Sequence, residues 1–414
     1  MLTSLLASNG TPAACGSVEG LAGRLRICHL GKYYPPAAGG IESHLQTLAR
    51  EQAACGAQVS VICANSEDRL GRDVTGDPLA ATPDRETWDG PVRLIRCGRW
   101  GNLAKLDICP STLRFLRRLT PANTDIVHLH TPNPTMLLAW ALVRPPVPLV
   151  ITHHSDVVRQ RFLGKVQRPV EHLVYRRARR ILTSSPCYAA ASDLLRSYQD
   201  RVEPLPFGIA LEPFLNPSPE ALQVAARLRE RYRQPLWLSV GRLVYYKGLD
   251  TAVRALRHVP GTYLIIGQGP LEQRLKARAA AEGVADRVVW QARASQDELV
   301  GAYHAATALW FPSCARSEGF GLVQVEAMAC GCPVINTALA GSGVPWVSRH
   351  EETGLTVPVG DAQALAQAAR RLHEDADLRQ RLGRQARLRA QTEFSARLMA
   401  QRSLLVYRQV LAQR

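Results

Sequence analysis

Four groups of residues in this 414-residue chain have types and spacings that could do chemistry. The first is Gly39-Gly40-Ile41-Glu42, which follows an apolar run at 25–30 and opens a helical pattern. Glycines between a strand and a helix let backbone N–H groups approach a phosphate, and the helix N-terminus adds the positive end of its dipole. A plain glycine turn, with Glu42 favouring the first helical turn, fits the same residues. The motif is not G-x-G-x-x-G, and the run at 59–63 leads into Ala64-Asn65 with no acidic residue. That argues against nicotinamide binding and a dehydrogenase. The second group is Arg242 and Lys247 in GRLVYYKG at 241–248, directly after a run at 236–240. Arginine offers a planar fork of donors to phosphate oxygens and lysine a compact charge; a solvated basic loop is the alternative.

The third group is Glu318 and Glu326 in SEGFGLVQVEAMACG at 317–331. Glu318 precedes a glycine turn, where a carboxylate accepts hydrogen bonds from hydroxyls. Glu326 falls early in the following helix, on its polar face. Two such acceptors could grip two sugar rings of one extended ligand, with the free N–H groups at Gly321–Val323 facing a phosphate between them. A glycosidase acid/base pair is the competing chemistry, but it must flank one bond more closely than this spacing favours. An ordinary amphipathic helix with a solvated Glu326 is the third reading. The fourth group is His128 and His130 in HLHTPNP, with Thr152-His153-His154-Ser155-Asp156 after the next apolar run. There is no HExxH and no i, i+4 histidine pair, so hydrogen bonding to a phosphorylated or hydroxylated ligand is favoured over zinc.

These groups must be positioned by the elements around them. Apolar or β-branched runs at 25–30, 59–63, 92–96, 126–129, 149–152 and 181–184 alternate with helical patterns. The second half repeats this at 236–240, 263–266, 288–291, 308–311 and 334–336. Continuous apolar strands between amphipathic helices imply parallel sheets covered on both faces. EPLPFGIALEPFLNPSP at 203–219, with Pro204, Pro206, Pro213, Pro217 and Pro219, cannot be one helix and marks a linker. The expected division is a tail at 1–23, a first domain at 24–205, a linker at 206–219, a second domain at 220–390 and a terminal stretch at 391–414. That last stretch is helical and placed to pack back on the first domain. Two parallel α/β domains turn their strand C-termini toward a shared cleft, and all four groups follow strands.

Lys and Arg number 51 against 35 Asp and Glu, a net charge of +16 that favours nucleic acid, acidic lipid or a phosphorylated substrate as partner. Aromatics at 6% weaken any base-stacking reading. The ten cysteines include no CxxC pair, and Cys330 and Cys332 lack partners for a zinc set, which fits a reduced cytosolic protein. The N-terminal segment has no early basic region and no long apolar core, so it is a poor signal peptide. The most apolar run, at 136–143, stops at Arg144-Pro145-Pro146, short of the roughly 20 residues a spanning helix needs. Membrane contact is therefore expected to be peripheral, through basic stretches at 112–119 and 159–180, with solvated helix faces as the alternative.

Taken in order, GGIE, GRL…KG and E-x7-E, followed by VEAMACGCPVI at 325–335, resemble the retaining GT-B glycosyltransferases of the "glycosyl transferases group one" family over about residues 24–395. THHSDVVRQ at 152–160, GSGVPWVS at 341–348 and ETGLTVPVGD at 352–361 further resemble bacterial rhamnosyl/mannosyltransferases. The resemblance implies an α/β GT-B fold, two facing Rossmann-like domains with the active site between them. It implies Gly39 and Gly40 as backbone contacts to a donor diphosphate, and Arg242 and Lys247 as its cationic clamp. Glu318 would bind hydroxyls of the transferred sugar, with Gly319, Phe320, Gly321 and Leu322 supplying backbone around sugar and phosphate. Glu326 would hold the ribose, and His154 would sit beside the reacting sugar. The implied catalytic set is His154, Arg242, Lys247 and Glu318. No cofactor and no metal are expected. The expected donor is GDP-mannose and the acceptor a lipid-linked or saccharide molecule, met at the inner face of the cytoplasmic membrane, in surface polysaccharide synthesis. A UDP-sugar donor is the alternative within the class; outside it, a non-catalytic basic glycan- or nucleic-acid-binding protein.

Overall fold

Eleven apolar runs each become a strand, and the computed structural model shows what they pair with. It describes residues 25–37, 39–68, 70–103, 106–156 and 161–413, with backbone only at 161–167, so the expected tail at 1–23 and part of the basic stretch at 159–180 lie outside the described residues. The first half contributes β1 (Arg26–Leu30), β2 (Gln58–Ala64), β3 (Arg85–Asp89), β4 (Val92–Cys97), a small hairpin of β5 (Asn102–Leu103) and β6 (Leu106–Asp107), β7 (Ile126–Thr131), β8 (Leu149–His153), β9 (Ala178–Thr183) and β10 (Val202–Pro204). Apart from the hairpin these form one sheet in the order β10-β9-β8-β7-β1-β2-β4-β3, parallel except for β3. The second half contributes β11 (Leu236–Val240), β12 (Thr262–Ile266), β13 (Val288–Gln291), β14 (Ala308–Phe311), β15 (Val334–Thr337) and β16 (Gly354–Val357). Their order is β13-β12-β11-β14-β15-β16, all parallel.

In both sheets the order of strands reverses once near the middle, between β1 and β7 and between β11 and β14. Loops leaving such a pair part toward opposite faces of the sheet and open a crevice at the strands' C-terminal ends. Burial of both faces explains why the strands read as near-continuous apolar runs: Leu236, Trp237, Leu238, Leu309 and Trp310 are each fully buried. Besides the short hairpin of β5 and β6, three strands of the two large sheets escaped the sequence reading. β3 is a polar edge strand (RETWD), β10 is three residues ending in proline, and β16 begins on a glycine. None carries the β-branched run that marks a central strand.

The chain crosses between the sheets twice, and the crossings run side by side. Ile209 N–H donates to the Phe394 carbonyl at 3.0 Å and Ala396 N–H to the Ile209 carbonyl at 2.8 Å. Gly208 permits this, since a Cβ there would lie 2.4 Å from the Ser395 carbonyl oxygen. After the second crossing the helix Ala396–Ala412 lies on the first sheet, where Met399, Ala400, Leu404 and Tyr407 share a core with Leu45, Leu48 and Val61. The Pro-rich stretch is thus half of a two-stranded connection rather than a lone tether.

Candidate functional site

Three of the four groups follow strands beside a switch point, β1, β11 and β14, while the fourth sits at the ends of β7 and β8, with His128, His130 and His153 inside the strands and His154 just beyond. After β11, residues 241–247 form a tight loop closed by a single 3₁₀ turn (Tyr245–Lys247). Gly248 ends it with φ +63°, and a Cβ there would sit 2.0 Å from the Pro312 carbonyl oxygen, so the loop after β11 lies directly on the loop after β14. This contact places Lys247 Nζ 2.7 Å from Glu318 Oε2, with both side chains largely buried. The ammonium also lies 4.8 Å from the centre of the Phe311 ring. The sequence reading gave Lys247 to phosphate and Glu318 to sugar hydroxyls; the structure makes them one ion pair. Glu318 Oε2 meets the Lys247 ammonium and no other donor among the described residues, so the buried carboxylate keeps acceptor capacity to spare. Arg242 is exposed, across from Glu42 of the first domain.

Beyond Glu318 the backbone turns at Gly321, φ +79°, where a Cβ would strike the Phe311 ring at 2.5 Å. The helix Leu322–Ala329 starts there. Its first backbone bond runs from Gln324 N–H to the Gly321 carbonyl, so the N–H groups of Gly321, Leu322 and Val323 lie outside the helix's own ladder and present its positive end. The Phe320 side chain is core, packed on Phe207 and Phe394, which leaves its backbone to face the cleft. Glu318 and Glu326 lie on either side of this glycine turn. Glu326 is half-buried rather than solvated, and Oε2 accepts from the Tyr303 hydroxyl at 2.6 Å. Burial pushes its carboxyl up, against the Tyr303 hydrogen bond and the Lys247 charge.

Gly39 caps the helix Gly40–Ala54, with Gly40 exposed at its start. Glu42 folds back over this N-terminus: its Oε2 lies 2.1 Å from where a Gly39 Cβ would stand. Burial raises the Glu42 carboxyl, opposed by its own backbone N–H, Lys32 and Arg242. That Arg242 acts on Glu42 brings the glycine turn of the first domain opposite the basic loop of the second.

The histidines were only partly legible. His153 is committed locally, with Nδ1 2.8 Å from the Tyr175 hydroxyl and Nε2 3.2 Å from Asp156. His154 instead turns its ring into a buried cluster with His29, His44, His128 and His130, and its carbonyl oxygen lies 3.0 Å from where a Gly319 Cβ would stand. Its backbone therefore touches the Glu318 turn. Two trios, His29/His128/His130 and His44/His130/His154, have nitrogens close enough to hold a metal. Both nitrogens of His130 and Nε2 of His154 already lie in hydrogen bonds, at 3.0 Å to His29 and 3.2 Å between the two, so a metal would have to break that chain. Burial lowers all five rings, His29 to about 4 and His44 to about 3, so they are neutral at pH 7.

Sequence reasoning passed over Arg316, which joins the halves. Arg316 donates to Asp156 at 3.2 Å and to the Ala191 carbonyl at 2.9 Å, and within the second half Ser342 Oγ donates to the Glu318 carbonyl. Arg316 stands two residues before Glu318, and that proximity was the available signal.

Residues 39–208 match a model described as "Glycosyl transferase 4-like domain", and residues 224–389 one described as "Glycosyl transferases group 1". The chain is 31% identical over 373 residues to a D-rhamnosyltransferase, WbpZ, of Pseudomonas aeruginosa, covering 90% of this chain and 93% of that one. It is 30% identical over 380 residues to O-antigen chain mannosyltransferase C of Escherichia coli, covering 90% and 95%. Among solved structures, a sucrose-phosphate synthase of Thermosynechococcus elongatus superposes with a TM-score of 0.75 at 24% identity over 94% of this chain and 100% of that one.

Proposed function

The chain belongs to the group 1 glycosyl transferases and has their GT-B fold, and we propose that it moves mannose from GDP-mannose, with retention of configuration, to a lipid-linked or saccharide acceptor of a surface polysaccharide. D-rhamnose is 6-deoxymannose, so the names of the two relatives describe one ring configuration differing at C6; this supports a manno-configured donor.

The observation that carries the reading is the Lys247–Glu318 pair at 2.7 Å, followed three residues on by the open N–H groups of Gly321–Val323. A cation, a helix N-terminus and a carboxylate with acceptor capacity to spare suit a sugar diphosphate better than any other common ligand. In this proposal Lys247 and Arg242 neutralise the diphosphate, Gly39 and Gly40 approach it from the first domain, and Glu318 takes hydroxyls of the sugar. Gly319, Phe320, Gly321 and Leu322 line the turn with backbone, Glu326 holds the ribose, and His154 stands beside the sugar. The bond from C1 to the phosphate oxygen breaks as the acceptor oxygen forms its bond to C1 on the same face. The acceptor's proton goes to the departing phosphate oxygen, so no dedicated carboxylate base is required. Negative charge grows on the leaving diphosphate, where the fixed cations and N–H groups act most strongly.

No metal takes part in this scheme, so transfer should be unchanged in excess EDTA. The test is a donor screen with GDP-mannose, GDP-rhamnose, UDP-glucose and UDP-N-acetylglucosamine in EDTA, scored by nucleotide release and by the anomeric configuration of the product. GDP-mannose turnover with retention is expected. Turnover confined to UDP-sugars, or an inverted product, would overturn the donor or the mechanism respectively.

The acceptor reading includes docking at an anionic membrane. Among the described residues no helix is long and apolar enough to cross a bilayer. The segment before the helix Ser111–Arg117 exposes Trp100 and, in the hairpin, Leu103, while Arg117 and Arg118 are exposed on and after that helix. Basic residues near such a surface contribute about 1 kcal/mol each. Reversing both, Arg117→Glu with Arg118→Glu, should reduce sedimentation with phosphatidylglycerol vesicles at least tenfold (roughly what two such contributions predict). Unchanged sedimentation would remove the membrane from the proposal.

A further inference from the structure

The buried histidines form a directed chain, and its direction is set far from the cleft. Ser403, on the terminal helix Ala396–Ala412, has its hydroxyl 2.6 Å from the Ala400 carbonyl oxygen. A carbonyl only accepts, so the Ser403 proton is committed there and its oxygen can only accept from Gln52 Nε2 at 2.8 Å. The same Gln52 nitrogen lies 3.1 Å from the Tyr407 hydroxyl, which is 2.5 Å from His128 Nδ1. Thus the Gln52 amide points its nitrogen at the terminal helix and its oxygen at His29 Nε2, 2.7 Å away. His29 Nε2 must then carry the proton. Its Nδ1 accepts from His130 Nε2 at 3.0 Å, and His130 Nδ1 accepts from His154 Nε2 at 3.2 Å. All four side chains, Gln52, His29, His130 and His154, are buried, so water does not break the sequence. Turning any one ring or the amide over would set donor against donor or lone pair against lone pair, unless the whole chain reversed and the Ser403 contact was lost with it.

We infer that Ser403, Gln52, His29 and His130 hold His154 as its Nε2–H tautomer, leaving Nδ1 as a lone pair for the substrate. His154 Nδ1 has no protein partner among the described residues, and unlike both nitrogens of His44 it is not sealed from solvent. A lone pair there accepts a substrate hydroxyl and favours positive charge growing on the sugar ring, whereas an N–H would oppose that charge. The inference rests on the proposal that His154 lies beside the transferred sugar, but the tautomer itself does not. Gln52, His29 and His130 act through His154 and are positioning residues.

The experiment is a long-range ¹H–¹⁵N spectrum of the full chain labelled at histidine, with His154 assigned by its loss in His154→Gln. A single neutral form protonated at Nε2 is expected without any substrate present. Protonation at Nδ1, or an even mixture, overturns the inference whatever the activity. The paired variants are His130→Asn, whose side-chain oxygen can take the place of Nδ1, and His130→Leu, which offers no acceptor. The leucine variant is expected to lose the single tautomer and about tenfold or more of kcat with donor KM little changed, and the asparagine variant to keep both. Equal loss in the two, with His154 unchanged in the spectrum, also overturns it. A wild-type chain with the expected tautomer but no glycosyl transfer would refute the proposed reaction and leave the inference standing.

Discussion

Replacing Lys247 by alanine is expected to lower glycosyl transfer about 10³-fold, the scale seen when one preorganised charge-stabilising group is removed. Lys247 is held by three surfaces: the 3₁₀ turn that carries it, the Phe311 ring, and Glu318 at 2.7 Å. The substitution removes a cation from the position where leaving-group charge would grow, and it also strands the Glu318 carboxylate. Stranding one member of a buried pair costs on the order of 3 kcal/mol, so thermal stability should fall as well. The double variant Lys247→Ala, Glu318→Gln separates the two effects. It should recover most of the lost stability, because the neutral amide needs no counter-charge, and none of the activity. Steady-state rates beside melting curves decide the matter; activity within threefold of wild type in the single variant would contradict the assignment.

Acid should unfold the chain well before its carboxylates titrate. His29, His44, His128, His130 and His154 are buried as neutral rings, and burial lowers each of them, His29 to about 4 and His44 to about 3. The unfolded chain takes up protons at these rings near pH 6.5, while the folded chain resists until much lower. Stability is therefore whole above pH 6.5 and is lost as pH falls from there toward 4. Each ring costs up to about 1.4 kcal/mol per pH unit in that window, and five at full slope approach the entire stability of an ordinary domain. Melting temperatures at pH 7.5, 6.5, 5.5 and 5.0 should drop steeply below 6.5. His44→Phe should shallow the slope and raise the melting temperature at pH 7.5, since the ring packs on Phe207 and both its nitrogens lack partners among the described residues. A melting temperature flat to pH 5 would show that the rings are not held neutral.

Much of this arrangement was legible from residue types, and the exceptions have physical reasons. β11 and β14 fall where the apolar runs begin and end, because strands buried on both faces admit few polar residues. The glycines at 319 and 321 announced the turn into the helix that carries Glu326, and the close approaches to His154 and Phe311 explain why side chains are excluded there. What composition does not encode is contact across the chain. Nothing local to Lys247 points at Glu318, seventy-one positions later, and the two meet only because β11 and β14 are neighbours across the switch point. The histidine chain was hidden for the same reason. His128, His130 and His154 stood out in their segments, but Gln52 sits in the last turn of the helix Gly40–Ala54 and Ser403 in a terminal helix that reads as an ordinary amphipathic one. The edge strand β3 and the two-stranded crossing at Ile209 and Ser395 were likewise set by partners distant in sequence.

The claim that a nucleotide sugar is held by the Lys247–Glu318 pair is tested most directly by calorimetric titration in EDTA, wild type beside Lys247→Ala. GDP-mannose should bind the wild type in preference to UDP-glucose. Lys247→Ala should weaken that binding by about tenfold or more, the worth of one charge-assisted contact to phosphate. No nucleotide sugar binding the wild type, or GDP-mannose binding both proteins alike, would contradict it.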